Sequence, residues 1–474
     1  MIAFFNTLSG RQEPFVPLSP GSVKLYTCGP TVYDEPHIGN YRAYVFEDLL
    51  KRFLRYAGMN VLHVMNITDV DDKTIRGANA RGIGLEEYTA PFIRSFFDGL
   101  NLLRIAPADH YPRATAFIPE MVEIIQGLLE KGFAYVKDGS VYFSIARFPE
   151  YGKLSKIKPE DLRTTERVGA RLEADEYEKD SARDFALWKA AKPEEPAWET
   201  PIGRGRPGWH IECSAMSAKY LGPTFDIHCG GVDNIFPHHE NEIAQSEAYY
   251  GRPFVRTWLH CHHLIVDGEK MSKSKGNVHA LRDLVDKRGL DPLVLRYFLI
   301  STHYRRVLNF TAEALEQSAA ALQRIRDFVF ELEKRPFPAG RTGAAASLLD
   351  TAKAGFLEGL GDDLNISVAL TALFDLIRGA NTLIKDDRLG ADDARDLAAF
   401  VFSADEILAV LPERRDEALS EDLRHKVEER EQARKDKNWP LADRLRKELL
   451  DAGVVVEDTK DGVRWKIVPR TGSR

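Results

Sequence analysis

Apolar and polar side chains alternate from Val23 to Thr27, which predicts a short strand. Residues Cys28 to Asn40 are then rich in turn formers. From Arg42 to Tyr56, Val45, Leu49 and Phe53, flanked by Phe46 and Leu50, recur at helical spacing. Val61 to Ile67 predicts the next strand. Strand, Gly/Pro loop, helix and strand open a βαβ unit, whose ligands lie at the carboxyl ends of the strands, near helix N-termini. Phe133 to Ile145 places Asp138-Gly139 between two β-rich runs, a hairpin pattern. Pro193 to Pro207 reads as a connector. Thr224 to His228 predicts a buried strand, followed by Cys229-Gly230-Gly231 and a helix from about Pro237. The α/β pattern thus stops near residue 115 and resumes near 205, as in a nucleotide-binding fold split by an insertion. From Thr311 the pattern is mostly helical, with a Pro/Gly break from Arg335 to Gly343. The tail predicts two helices and a hairpin centred on Asp461-Gly462.

Composition narrows the class. Of 474 residues, 44% are hydrophobic and 29% charged, which excludes a collagenous, low-complexity or wholly disordered chain. No uncharged apolar run approaches the ~18–20 residues that span a bilayer, so no membrane association is expected. The N-terminus lacks the basic start and apolar stretch of a secretory signal. Four cysteines, none in a C-x-x-C pair, suit a reducing cytoplasm. The net charge of −7 does not mark a nucleic-acid binder, but residues 420–474 carry 14 Lys/Arg against 12 Asp/Glu, a mildly basic tail on an acidic chain.

Three constellations carry chemistry. In C-G-P-T-V-Y-D-E-P-H-I-G-N, Cys28 to Asn40, the last four residues would open the first helix. Gly39 admits a close ligand, and His37 and Asn40 can donate hydrogen bonds to a phosphoryl group at that helix N-terminus. In E-K-M-S-K-S-K-G-N, Glu269 to Asn277, lysines separated by Ser and Gly cannot form a core element. They suit a mobile cationic clamp for a polyphosphate. In F-P-H-H-E-N-E, His238 and Glu242 share a helix face at i,i+4, whereas the i+4 partner of His239 is Ile243. With Cys28 and Cys213 they would make a tetrahedral metal site. Cys229 and Cys261 remain rival ligands by spacing. Trp209, four residues before Cys213, is placed to close over such a site.

Together these segments resemble the class I aminoacyl-tRNA synthetases, and among them the cysteinyl-tRNA synthetases. His37–Asn40 matches the H-I-G-H signature, with Asn in the last place, and Lys270–Ser274 is K-M-S-K-S. N-I-T-D-V-D-D-K (Asn66–Lys73), G-R-P-G-W-H-I-E-C-S-A-M (Gly205–Met216), F-P-H-H-E-N-E-I-A-Q-S (Phe236–Ser246) and A-D-R-L-R-K-E-L-L-D-A-G (Ala442–Gly453) are also family-like. The resemblance implies an α/β fold: a class I Rossmann-like catalytic domain (1–115 and 204–250) split by a connective insertion (116–203). A stem-contact segment with the lysine loop (251–310), an α-helical bundle (311–416) and a small α+β anticodon-binding C-terminal domain (417–474) follow. It assigns one Zn2+ per chain to Cys28, Cys213, His238 and Glu242, and Mg2+ to ATP. His37, Asn40, Lys270 and Lys273 are the expected catalytic residues. Gly39, Gly230, Gly231, Asp233 and Lys273 are expected to contact ATP, with Asp233 accepting from ribose hydroxyls. Thr31 and Trp209 are expected against the substrate L-cysteine. The implied partner is tRNA(Cys), and the expected state is a cytoplasmic monomer. Two departures stand out. Cys229 occupies a place expected for a small residue, and in C-H-H-L, Cys261 to Leu264, the histidines read as structural. A related ligase joining cysteine to an amino sugar would keep all three constellations but not need the tail.

Overall fold

The computed structural model describes residues 1–157, 184–193, 195–271, 275–412, 421–452, 454–459 and 462–467. These fall into two units. The first comprises Met1–Leu281, Phe298–Ala314 and Gly355–Leu370. Its centre is a parallel sheet in the order Val255–Cys261, Phe225–Gly231, Ser22–Thr27, Asn60–Met65. The two middle strands come from either side of the insertion, and Leu25, Tyr26 and Thr27 pair with Ile227, His228 and Cys229. The helix Ile38–Tyr56 returns the chain between the first pair of strands and buries Val45, Phe46, Leu49, Leu50 and Phe53.

The third strand runs three residues beyond its predicted end. Cys229, Gly230 and Gly231 stay in the ladder because Leu259, His260 and Cys261 supply parallel partners. Two glycines expected after the strand are thus extended backbone at the carboxyl edge of the sheet. The helix expected from about Pro237 begins irregularly. Phe236 is extended (φ −136°, ψ 132°), and the regular helix is Glu240–Tyr250.

An antiparallel sheet of three strands from the insertion and one just beyond it has the order Ala134–Lys137, Ser140–Phe143, Phe185–Ala190, Gly205–Pro207. Asp138 (φ 49°) and Gly139 (φ 77°) form the hairpin turn predicted from Asp-Gly. The Pro193–Pro207 stretch is not connector throughout, since its last three residues pair with Trp188, Lys189 and Ala190. That ladder depends on a partner strand, which local Pro/Gly content does not reveal. One apolar cluster joins Phe143 and Trp188 of this sheet to Ile125, Met216, Ile243 and Phe254. A small sheet of Glu269–Lys270, Leu264–Val266 and Leu308–Phe310 carries the lysine loop.

The second unit, Arg282–Tyr297, Leu315–Ala354 and Thr371–Arg474, is chiefly helical. Helices Glu421–Lys435 and Trp439–Asp451 precede an antiparallel pair, Val454–Thr459 with Gly462–Ile467. Val427, Leu449, Val454 and Val456 form their own core, against which Trp465 packs. One described helix, Ile366–Lys385, is long and apolar enough by composition to cross a bilayer, although no such segment was expected. It carries a paired Asp375 and Arg378 and buries Leu373, Leu376, Ile377 and Ala380. Its hydropathy follows from the broad apolar face it buries.

Candidate active site and metal centre

A cleft of about 410 Å3 opens at the carboxyl ends of the parallel strands, and Cys28, His37, Asp233, His238 and Lys270 line it. The loop after the first strand is held from below. Asn66 Oδ1 accepts from Gly29 N (2.9 Å), Asn66 Nδ2 donates to Thr68 Oγ1 (3.1 Å), and Thr68 Oγ1 donates to Glu212 Oε2 (2.7 Å). Thr31 lines the cleft, and its backbone bridges Thr68 in the segment after the strand Asn60–Met65.

His37 is the N-cap of the helix Ile38–Tyr56. Its Nδ1 accepts from Asn40 N (3.3 Å), while Asn40 Oδ1 accepts from His37 N (3.0 Å). This reciprocal cap satisfies two helix-terminal donors. It puts the proton of a neutral His37 ring on Nε2 and leaves the Asn40 carboxamide's NH2 outside the cap. A Cβ on Gly39 would stand 2.5 Å from Met271 Cε, the end of a flexible side chain that would have to swing aside, and 3.1 Å from the His37 ring. Ile38 N donates to His279 O (3.0 Å), and His37 bridges Ala280, which ties the far end of the loop to the same turn. Lys270 is exposed on the cleft wall, and Lys275 pairs with Glu269 (2.9 Å). Lys273 lies outside the described residues.

At the base of the cleft the structure brings Cys28, Cys213, His238 and Glu242 together, their ligand atoms all within 4.8 Å of one another. Cys213 Sγ is 3.6 Å from His238 Nε2, and His238 Nε2 is 3.0 Å from Glu242 Oε1. The latter pair is close but not aligned as a hydrogen bond, so Oε1, a fully buried carboxylate oxygen, has no donor. Burial would raise the Glu242 carboxyl, but the His228 and His238 imidazoles outweigh it and hold it at about 2. Burial likewise opposes charge on His238, yet Glu242 and Cys213 carry it up to about 10. Of the two thiols, Cys28 is pushed up by burial and by Cys213, whereas Cys213 comes down to about 6 against its own burial through Cys28 and His238. Thiolate, imidazole and carboxylate donors with an orphaned carboxylate oxygen fit a metal ion of zinc's preferences.

Spacing favoured His238 over His239, but His239 also reaches the cage. Cys28, His228, His239 and Glu242 form a second group within 4.8 Å, with Cys28 Sγ 3.2 Å from His239 Nε2 and His228 Nε2 2.9 Å from Glu242 Oε2. The i,i+4 pair of His238 and Glu242 holds across the start of the helix, and the irregular turn with Phe236 extended lies just before it. Gly230 is explained by the same cage, because a Cβ there would meet His239 Cε1 at 2.8 Å; beside Gly231 the space is open. Five of the 13 histidines, His210, His228, His238, His239 and His260, are buried about this centre. Their recurrence beside Cys and Glu in H-I-E-C, H-C-G-G, H-H-E and H-C-H-H was the available signal. Cys229 and Cys261 belong to neither group. Both are buried, and burial raises both thiols, Cys261 to about 11. Trp209, 40% exposed, stacks on the His238 ring with centroids 4.2 Å apart, forming one wall between cage and cleft.

A parallel sheet interrupted by an insertion, a capped H-I-G-N helix and a lysine loop tied to that cap define a class I aminoacyl-tRNA synthetase. Comparison agrees. Residues 14–320 match the family described as tRNA synthetases class I (C) catalytic domain, and residues 416–465 match the cysteinyl-tRNA ligase anticodon binding domain. The chain belongs to the cysteine–tRNA ligase family: it is 51% identical to the enzyme of that name from Chlamydia trachomatis serovar A and 50% identical to that of Chlamydia pneumoniae, in each case over 98% of both chains. Among solved structures, Mycobacterium tuberculosis methionyl-tRNA synthetase with methionyl-adenylate aligns with TM-score 0.59 at 17% identity, covering 82% of this chain and 90% of the other. Agrobacterium radiobacter K84 LeuRS in a ternary complex with tRNA aligns with TM-score 0.60 at 12% identity, covering 84% and 85%. These two likenesses concern the fold.

Proposed function

We propose that the chain activates L-cysteine with ATP and transfers the cysteinyl group to the 3′-terminal adenosine of tRNA(Cys), with zinc in the Cys28, Cys213, His238, Glu242 cage. The observation that carries this reading is the opening of a buried Cys/His/Glu cage into the cleft that holds the H-I-G-N turn and Lys270. In the first step the cysteine carboxylate attacks the α-phosphorus of ATP, the bond to the bridging oxygen breaks, and pyrophosphate leaves with Mg2+. The nucleophile is already an anion, so no general base is required. His37 and Asn40 bind phosphate oxygens, and Lys270 and Lys273 neutralise charge gathering on the leaving group. Asp233 accepts from ribose, Gly39 and Gly231 leave room for the nucleotide, and Gly230 shapes the floor beneath it. Thr31 and Trp209 flank the amino acid. In the second step a terminal ribose hydroxyl of tRNA attacks the adenylate carbonyl and AMP departs.

Cysteine and serine differ by S for O, and an apolar pocket separates near-isosteres only by roughly 10–200-fold. Bound zinc offers a site that takes a thiolate well and a neutral alcohol poorly. Cobalt substitution tests this reading. Adding cysteine should change the visible bands of the cobalt protein, and serine should not. An unchanged spectrum with cysteine, beside intact cysteine-dependent ATP–pyrophosphate exchange, would make the metal structural and leave selection to pocket shape.

A further inference from the structure

Asp233 sits in the turn Val232–Asn234, immediately after the strand Phe225–Gly231. His263 lies two residues beyond the end of the neighbouring strand, Val255–Cys261. Both line the cleft, and His263 Nδ1 is 3.1 Å from Asp233 Oδ2. The backbone holding His263 is pinned on three sides. His262 N donates to Tyr304 O (2.7 Å), Leu308 N donates to His263 O (3.0 Å), and His263 N donates to His262 Nδ1 (2.9 Å). The pair is open to solvent, with the His263 side chain 33% and the Asp233 side chain 46% exposed. Exposed pairs of this kind add little stability. A structural histidine would resemble His239 or His260, which are 0% and 4% exposed. What a pinned, accessible imidazole supplies here is the orientation of a carboxylate.

We infer that His263 is a positioning residue for the sugar of the nucleotide. With its proton on Nδ1, the imidazole would hold Asp233 Oδ2 across that 3.1 Å and turn the carboxylate so that another of its lone pairs meets a ribose hydroxyl. This rests on the reading of Asp233 as the ribose acceptor. His263 touches no reacting atom, so it acts on nucleotide binding and on the choice between ribose and deoxyribose, not on the chemical step. A site built to accept from a hydroxyl discriminates against the analogue lacking it, provided the acceptor is held in place.

The test is cysteine-dependent ATP–pyrophosphate exchange by the full chain with ATP, 2′-deoxy-ATP and 3′-deoxy-ATP. His263→Ala should raise the KM for ATP about tenfold, the effect of one ordinary hydrogen bond. Preference for ATP over the deoxy analogue whose hydroxyl Asp233 binds should fall by the same factor. The kcat and the KM for cysteine should stay within about twofold, because neither contact involves the sugar. His263→Asn, whose amide N–H can stand near the place of Nδ1, should recover most of the preference. An alanine variant that keeps the parent's ATP KM and sugar preference overturns the inference, as does an asparagine variant no better than alanine. Asp233→Asn separates the two levels. If it loses the preference while His263→Ala keeps it, only the role of His263 fails. If Asp233→Asn changes neither quantity, the ribose reading itself fails.

Discussion

Glu47 lies on the helix that His37 caps, is only 1% exposed, and has neither carboxyl oxygen in hydrogen-bond geometry. Burial drives its pKa well up. The Thr27 hydroxyl eases that rise only slightly and is itself within hydrogen-bond distance of His63 (2.9 Å). The fold therefore binds the Glu47 proton more tightly than the unfolded chain does. Its contribution is most favourable below the unfolded value near 4.5 and declines as the pH rises above it. Glu47→Met keeps the length of the side chain and removes the acid. Urea unfolding should show the variant about 1–3 kcal/mol more stable than the parent at pH 8. The difference should shrink toward pH 4. A variant that loses stability at pH 8 would show that the ionised acid has a favourable partner in solution.

At the scale of one element, the first turn of the helix Ile38–Tyr56 holds both the cap and the residues proposed to bind phosphate. The cap uses Oδ1 of Asn40, whereas phosphate binding would use the carboxamide's NH2. Asn40→Asp separates these roles. It retains the acceptor for His37 N and places an anion in the first turn, where the helix dipole favours it. Thermal stability should hold or rise by about 0.3–1 kcal/mol. Exchange should fall about 10²–10³-fold, because a donor is replaced by a charge that repels triphosphate. Asn40→Ala should lose both, with about 0.5–2 kcal/mol of stability. Equal activity of the Asp variant would remove Asn40 from the phosphate site and leave it only the cap.

For the whole molecule, division of labour can be tested between the two reaction steps. All three constellations precede residue 278, whereas the tail has its own small core of Val427, Leu449, Val454 and Val456. Deleting residues 417–474 should leave cysteine-dependent exchange largely intact and strongly reduce aminoacylation. The tail carries two tryptophans, either of which has the ring to stack on a base. Trp439 is 53% exposed with the Arg434 guanidinium 5.7 Å from its ring centre, while Trp465 packs against the tail core and under Lys334. Trp439→Ala should raise the KM for tRNA by about 5- to 150-fold, as loss of one stacked base implies, without changing exchange. Trp465→Ala should instead lower the melting temperature. If the truncated chain aminoacylates as well as the parent, the tail has no anticodon role and the amino-sugar ligase reading returns.

Much of this protein is written in local sequence. The strand Ser22–Thr27, the helix after it, the Asp138-Gly139 hairpin and the tail helices follow from side-chain period and turn chemistry, which act over a few residues. The strings proposed for the nucleotide site were legible for the same reason: a helix-start turn and a lysine loop are contiguous. The cage was only half legible. Spacing found His238 and Glu242 because they share one helical turn, and the resemblance chose Cys28 and Cys213 over their rivals Cys229 and Cys261. Nothing local could bring in His228 or His239, which arrive through a parallel register and an extended residue at Phe236. The strand Gly205–Pro207, the extended Cys229-Gly230-Gly231 and the pairing of His263 with Asp233 are likewise tertiary decisions. In each, the partner lies on a different strand or loop. Hydrogen-bond ladders and buried charges take their energy from neighbours in space, and chain order does not name those neighbours.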